Sequence, residues 1–245
     1  MNNLSKLNNI LRSQGYTSDS TCWNGILVYA EHLSKIENVM VVISNLHEGT
    51  SRIFSGKLGV LLGIEHYAKE NSIWEKNILN LMTPEEREEK YLAELRFFNF
   101  LRHVPHKARS NFYLISKLRF KAADGEAMDM LHRMYYVYDA PGDVIDYAVC
   151  IYERMSFDIG GRSFAVNSIT GLTEELTPAK DISILSRREQ QVLKLIDSGK
   201  TSAEIATILS ISKNTVSRHR QEILAKLQVK NSVEACRIAK SIGLL

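Results

Sequence analysis

Residues 185–245 read LSRREQQVLKLIDSGKTSAEIATILSISKNTVSRHRQEILAKLQVKNSVEACRIAKSIGLL. Capping chemistry alone marks where the helices of this stretch begin and end. Ser186–Arg187–Arg188–Glu189 is a capping box: the serine hydroxyl takes the backbone N–H three residues on, and the glutamate reaches back to the cap. The helix it opens carries Val192, Leu193 and Ile196 as its apolar stripe and closes at Gly199. Thr201–Ser202–Ala203–Glu204 is a second capping box, followed by Ile205, Ala206 and Leu209. Ser212 caps a third helix with Val216, His219 or Arg220, Ile223, Leu224 and Leu227 inward. Asn231 and Glu234 start a fourth, carrying Ala235, Ile238 and Ala239 before Gly243.

Only Ser210 and Ile211 separate the second helix from the third, which is the tight joint of a helix-turn-helix unit. Ala206 fits a close crossing of the two helices, and Ile211 plugs the turn from below. The third helix is then free to lie in the major groove of duplex DNA, which admits one α-helix. Its solvent face carries Lys213, Asn214, Ser217, Arg218 and Gln221. Base readout falls mainly to Arg218 and Gln221, because each reaches a base edge with two hydrogen-bonding atoms; Ser217 makes a shorter contact. Lys213, Thr215, Arg220, Lys226 and the backbone opening the Thr201 helix are read as phosphate clamps. His219 lies inside the stripe and reads as a positioning residue.

These residues resemble the LuxR/FixJ class of bacterial helix-turn-helix domains over essentially all of residues 185–245. The likeness rests on Leu185–Ser186, Arg188–Glu189, Val192–Leu193, Gly199, Glu204–Ile205–Ala206, Leu209, Ile211–Ser212, Thr215–Val216, His219, Ile223, Lys226–Leu227, Asn231, Glu234–Ala235 and Gly243–Leu244. Two positions depart from it: Ser217 and Ser232 stand where the class usually has Lys and Arg. The resemblance implies a homodimer pairing through the fourth helix, residues 231–242, with Val233, Arg237 and Lys240 on its exposed or paired face. Such a dimer presents two recognition helices to a pseudo-palindromic site.

Upstream, the composition changes. From Lys180 on there are seven Lys and five Arg against six acidic residues, a balance of +6. The whole chain carries +3, so the remainder is acidic at −3. Residues 169–183 mix Thr, Gly, Pro and acidic residues without a sustained period and read as a linker between a DNA-binding domain over 184–245 and a larger domain over 37–168. Residues 1–36 form a flanking helical segment, in which Trp23, Ile26, Leu27, Ala30 and Leu33 share one face of a helix over Ser20–Ile36, with Ser18 to Ser20 as caps.

In the larger domain, Val39–Ile43 and Ser51–Phe54 read as two strands around the His47–Thr50 turn. Gly56, Gly59 and Gly63 punctuate a short helical region. Thr83–Pro84–Glu85–Glu86 starts a longer helix whose stripe is read as Leu92, Leu95, Phe98 and Leu101 or Arg102. Three alternating strands follow, through Phe112–Phe120, Met128–Tyr136 and Ile145–Ile151, joined at Asp124–Gly125 and Pro141–Gly142. The fold class is α+β: a five-stranded antiparallel sheet with helices inserted between strands two and three, plus an all-α four-helix C-terminal domain.

That order resembles the PAS sensor fold over residues 35–156, with Leu62–Gly63, Thr83–Pro84–Glu85–Glu86–Arg87, Arg119–Phe120–Lys121 and Asp124–Gly125 as its markers. The resemblance implies dimerisation, a flanking helix at Ser20–Ile36 used in pairing, and in many members a small molecule, haem or flavin between sheet and helices. The residues leave the cofactor unknown and admit there being none: His32, His47, His66, His103, His106 and His132 sit in no haem motif, and Cys22 and Cys150 in no flavin-adduct motif. Three inputs stay open for this domain: phosphorylation, a small-molecule ligand, and dimerisation or protein docking. Phosphorylation fits poorly, because Val39–Ile43 runs into Ser44–Asn45 and not into an acidic pair.

The function expected is transcription regulation through double-stranded DNA, with a PAS-like interaction module whose C-terminal helices dock a protein as the alternative. No enzyme is expected, since the chain has no glycine-rich phosphate loop, HExxH or GxSxG. Cys22, Cys150 and Cys236 form no CxxC pair and read as thiols of a reducing compartment. Neither a membrane span nor a secretory signal is legible, so a cytoplasmic location is expected.

Overall fold

The computed structural model describes residues 3–12, 20–138, 144–177, 185–227, 231–241 and 245. The expected caps at Ser18 and Asp19, the Pro141–Gly142 turn and the greater part of the second half of the expected linker lie outside these residues. The chain divides into two compact units, Leu7–Leu176 and Met1–Lys6 with Thr177–Leu245. Among the described residues no helix is long and apolar enough to cross a membrane.

The first unit is built on one sheet. In chain order its elements are α1 (Asn3–Arg12, which enters it from Leu7), α2 (Ser20–Ile36), β1 (Met40–Asn45), β2 (Thr50–Phe54), α3 (Leu58–Leu62), β3 (Lys69–Glu70), α4 (Lys76–Leu79), α5 (Pro84–Arg102) and α6 (His106–Arg109). Then come β4 (Phe112–Lys121), β5 (Ala127–Tyr138), β6 (Ile145–Arg154), β7 (Ser163–Asn167) and β8 (Thr173–Glu175). The strand order is β3-β2-β1-β6-β5-β4-β7-β8, every pair antiparallel.

The sheet therefore has eight strands where the sequence reading gave five. The five expected strands form its centre, and the additions are short edge strands: β3 on one side, β7 and β8 on the other. β8 lies inside the stretch read as linker, where Phe164, Ala165 and Val166 pair with Glu175, Glu174 and Thr173. Two or three exposed polar residues show no alternation, so only pairing to a distant strand makes them β-structure.

α2 covers one face of the central strands. Ala30 packs with Val39, Val41 and Ile43 of the β1 region and with Tyr147, Val149 and Ile151 of β6, and Trp23, Ile26, Leu27 and Leu33 flank them, as the helical spacing requires. The Trp23 ring stacks on Tyr147 at 5.1 Å. The residues between these in sequence point to the opposite face. Cross-strand registers set Val42, Cys150, Met134, Leu114 and Ala165 in one row, and Met40, Tyr152, His132, Ser116 and Ser163 in the next. All of them are buried, and α5 packs against β4 and β7 of this sheet.

α5 starts as its cap dictates: the Thr83 hydroxyl accepts the Glu86 N–H at 3.3 Å, with Pro84 in the first turn. Its buried face differs from the stripe read from the sequence. Leu95 and Leu101 are buried, but Leu92 and Phe98 are only half-buried, and Lys90, Tyr91, Glu94 and Phe97 go inside with them. Phe97 stacks on Tyr136 of β5 at 5.8 Å. A stripe drawn through apolar residues alone passes over Lys90 and Glu94, which enter the core as a pair.

Candidate nucleic-acid interface

Among the described residues from Thr177 on, the second unit contains α7 (Arg187–Asp197), α8 (Ser202–Leu209), α9 (Lys213–Leu227) and α10 (Ser232–Ser241). Both capping boxes form. The Ser186 hydroxyl accepts from the Glu189 N–H while Glu189 Oε2 accepts from the Ser186 N–H, and Thr201 and Glu204 repeat the arrangement. Ser212 caps α9, its Oγ accepting the Thr215 N–H at 3.0 Å, and Asn231 Oδ1 takes the Glu234 N–H at 2.9 Å to open α10. The joint between α8 and α9 turns on Ser210, whose φ of 52° and ψ of 48° are left-handed. The Ile211 N–H then returns to the Ala206 carbonyl at 3.0 Å.

Beneath this joint lies a small core of Val192, Leu193, Ile205, Ala206, Val216, Ile223, Leu227, Ala235 and Ala239. Every one of these nine positions is apolar, so α9 has a buried and a solvent side. On the solvent side stand Lys213, Asn214, Ser217, Arg218 and Gln221, all exposed, with Thr215 half-buried and Thr201 exposed at the start of α8. Arg218 Nε pairs with Glu222 Oε1 at 3.2 Å on the same helix face, and the side chain stays open to solvent.

Two of the residues read as phosphate clamps make hydrogen bonds within the domain. Arg220 Nη1 donates to Ser202 Oγ at 2.9 Å and Nη2 to Ser232 Oγ at 3.0 Å, so its guanidinium joins the first residues of α8 and α10. Lys226 Nζ donates to both Glu189 oxygens at 2.7 and 2.8 Å. Burial opposes the charge on Glu189, but Lys226 and the Ser186 cap outweigh it and hold its carboxyl below the usual range. His219 is half-buried beside Glu222, as its place in the stripe suggested.

The sequence reading gave Glu189 its place in the capping box and assigned Arg188 no contact. Arg188 Nη2 donates to the Leu209 carbonyl at 2.6 Å, closing the end of α8, and Glu189 serves the α7 cap and Lys226 together. The capping box signals the first duty of Glu189, but its second depends on tertiary packing. Among the described residues Glu189, His219 and Glu222 have cation-ligand spacing, their atoms within 4.8 Å of one another. The Lys226 ammonium already sits on Glu189, so a side chain takes the part of the cation.

The first unit holds a polar cluster of its own, between α5 and the sheet. Lys90 Nζ donates to Glu94 Oε1, both side chains at most 4% exposed. Ser44 Oγ donates to the buried Glu75 at 3.1 Å and bonds Ser51 at 3.0 Å. Burial pushes the Glu75 carboxyl up from its ordinary value, against the pull of Lys90. Burial opposes the charge on Lys90, but Glu94 and Glu75 outweigh it and raise its pKa. His132 meets Ser116 Oγ through Nδ1 at 3.1 Å and stacks on Tyr152 at 4.7 Å, yet among the described residues its Nε2 has no hydrogen-bond partner. His32, His47, His66, His103 and His106 are exposed, and His132 is fully buried.

Burial, and then the nearby Lys90 charge, push the His132 pKa well below its ordinary value. A depressed imidazole keeps the native state from binding a proton that the unfolded chain accepts below about pH 6.5. The stability linked to this group is present above that pH and is lost as the pH falls. The stability difference between wild type and His132→Asn is therefore expected to move against wild type between pH 7 and 5, with a limiting slope of about 1.4 kcal/mol per pH unit. Urea unfolding at three pH values measures it; parallel pH profiles for the two proteins would refute it.

Residues 183–239 match the family described as bacterial regulatory proteins, luxR family. The chain is 38% identical over 74 residues to the regulatory protein SdiA of Escherichia coli, covering 30% of each chain. It is 43% identical over 61 residues to the quorum-sensing regulator RhlR of Pseudomonas aeruginosa, 25% of each. To the transcriptional regulatory protein DesR of Bacillus subtilis it is 35% identical over 109 residues, 44% of this chain and 49% of that one. The chain thus spans less than half the length of these relatives. Among solved structures it is similar to the phage VqmA–DPO complex at 14% identity and a TM-score of 0.37, covering 93% of this chain and 92% of that one. Capped helices, left-handed joint and family match fall on the same residues, and it is this C-terminal stretch, residues 183–239, that carries the likeness to the luxR family.

Proposed function

We propose that the chain is a sequence-specific regulator of transcription that binds double-stranded DNA as a homodimer, through α9, and takes its input at a PAS-like first unit. The observation that carries this reading is the two-sided character of α9: Val216, Ile223 and Leu227 are buried, while Lys213, Asn214, Ser217, Arg218 and Gln221 face solvent. A helix so presented, with a basic and amide-bearing outer face, suits the major groove. Arg218 and Gln221 are the base readers in this scheme, Ser217 a short contact, and Lys213, Thr215 and the Thr201 end of α8 the phosphate contacts. Arg220 and Lys226 support the domain from within. The regulatory names of SdiA, RhlR and DesR favour the same activity, which we place in the cytoplasm.

The PAS-like reading of the first unit is supported by its central five strands in the order β2-β1-β6-β5-β4, with α3 to α6 between the second strand and the meander. The buried polar cluster between α5 and the sheet supports a small-molecule input over a purely structural domain.

Fluorescence anisotropy with duplex DNA at two salt concentrations tests the DNA reading. Affinity must fall as salt rises, because phosphate contacts release counterions. Arg218→Ala is expected to weaken binding to a selected site by about 1–3 kcal/mol and to leave the helical content unchanged. Equal losses on selected and random duplexes would remove Arg218 from base readout, and salt-independent binding would favour a protein-docking role for the helices.

A further inference from the structure

Glu222 is the one acidic residue of α9, and it stands a turn along from Arg218 and next to Gln221, the two side chains assigned to base readout. The exposed residues of the same helix, Lys213, Asn214, Ser217, Arg218 and Gln221, are cations, amides and a hydroxyl. DNA phosphates repel a carboxylate placed in that company, so its presence there needs a reason other than attraction to the backbone.

Both of its oxygens are engaged. Oε1 lies 3.2 Å from Arg218 Nε, and Oε2 lies 3.4 Å from His219 Nδ1. The His219 side chain is 12% exposed, and its Nδ1 is a buried atom with no hydrogen-bond partner among the described residues, so the carboxylate rests against a ring that packing fixes. Arg218, by contrast, is 72% exposed, and an ion pair so open to water adds little to stability. What the pair sets is direction. With a carboxylate at Nε, the far edge of the guanidinium, Nη1 and Nη2, is left without an acidic partner among the described residues. That edge carries two parallel N–H donors. In the major groove guanine alone offers two acceptors, O6 and N7. The same edge would also fit a phosphate anywhere on a duplex, but a phosphate approaching Arg218 meets the charge of Glu222, whereas a guanine edge carries none.

We propose that Glu222 is a specificity-determining residue, which aims Arg218 at one guanine in each half-site and penalises the use of Arg218 on phosphate. The proposal rests on the reading of α9 as the DNA-contacting helix. Glu222 acts through Arg218 and is therefore a positioning residue, not a reader of bases itself.

The test uses the full-length protein, a duplex enriched by wild type from a randomised pool, and a random duplex of equal length, all at one salt concentration. The enriched half-sites are expected to hold a guanine at which 7-deazaguanine, which lacks N7, weakens wild-type binding about tenfold and leaves Arg218→Ala unaffected. Glu222→Ala is expected to bind the random duplex roughly threefold more tightly and to lower the ratio of enriched to random affinity about tenfold. Glu222→Gln keeps an acceptor for Arg218 Nε without the charge. It is expected to match the alanine variant on the random duplex and to retain the wild-type response to 7-deazaguanine. In an Arg218→Ala background, Glu222→Ala is expected to leave the ratio unchanged.

The proposal is overturned if the enriched site holds no such guanine, if Glu222→Ala changes both affinities by the same factor, or if it lowers the ratio just as far without Arg218. It is also overturned if the base whose identity Glu222→Ala relaxes is a cytosine that Arg218→Ala does not affect, because Glu222 then reads that base itself. The reading of α9 fails separately. Binding that enriches no sequence, or no binding to any duplex at low salt, sinks that reading, whereas an unmoved ratio in a protein that does select a site sinks only the role given to Glu222.

Discussion

Replacing Lys90 by methionine is expected to destabilise the first unit by about 3–5 kcal/mol, the cost of leaving a buried carboxylate without its partner. The side chains of Lys90 and Glu94 are 3% and 4% exposed, so water cannot take over the lost contact. The substitution keeps the volume of the side chain, which sets the effect apart from a packing loss. Two controls isolate the cause. Lys90→Met with Glu94→Leu removes both charges and is expected to recover most of the loss, and Lys90→Arg, which keeps the charge, is expected to lose less than Lys90→Met. Guanidinium unfolding of wild type and the three variants checks this; a double variant no more stable than Lys90→Met would show that the ion pair is not the origin.

Leu193→Ala is expected to cost the helix-turn-helix unit about 2–5 kcal/mol. Leu193 is 1% exposed on α7, the helix that packs against both α9 and α10. The core of this unit is small, and its smallest members, Ala206, Ala235 and Ala239, cannot move in to fill a void. Retardation of duplex DNA at low ionic strength is expected to be lost or strongly reduced, although no residue of the proposed DNA face is touched. Retardation equal to wild type, in a protein of unchanged thermal midpoint, would place the support of α9 elsewhere.

The second unit was legible because its signals are local. Ser186 with Glu189, Thr201 with Glu204, and Ser212 ahead of Val216 each fix a helix start within four residues, and all three form as read. In the first unit the central strands and α2 were legible from their periods. The edges were not: β7 and β8 exist through registers to β4 and to each other, over residues whose own pattern is ambiguous. The inner site was hidden for a different reason. Lys90 and Glu94 look like ordinary solvated charges on a helix surface, and only the sheet beneath, with Ser44 and Glu75, makes burial affordable. Likewise, Arg220 and Lys226 look like free cations in sequence, and their acceptors lie 12 to 37 residues away.

The Arg220 guanidinium reaches Ser202 with one nitrogen and Ser232 with another. A planar fork of fixed angle therefore gears the helix that would grip a second copy to the helix end that would meet the phosphates. In the proposed dimer a shift at the pairing surface is therefore expected to be felt at the groove side, and lengthening the interval between two half-sites is expected to weaken binding.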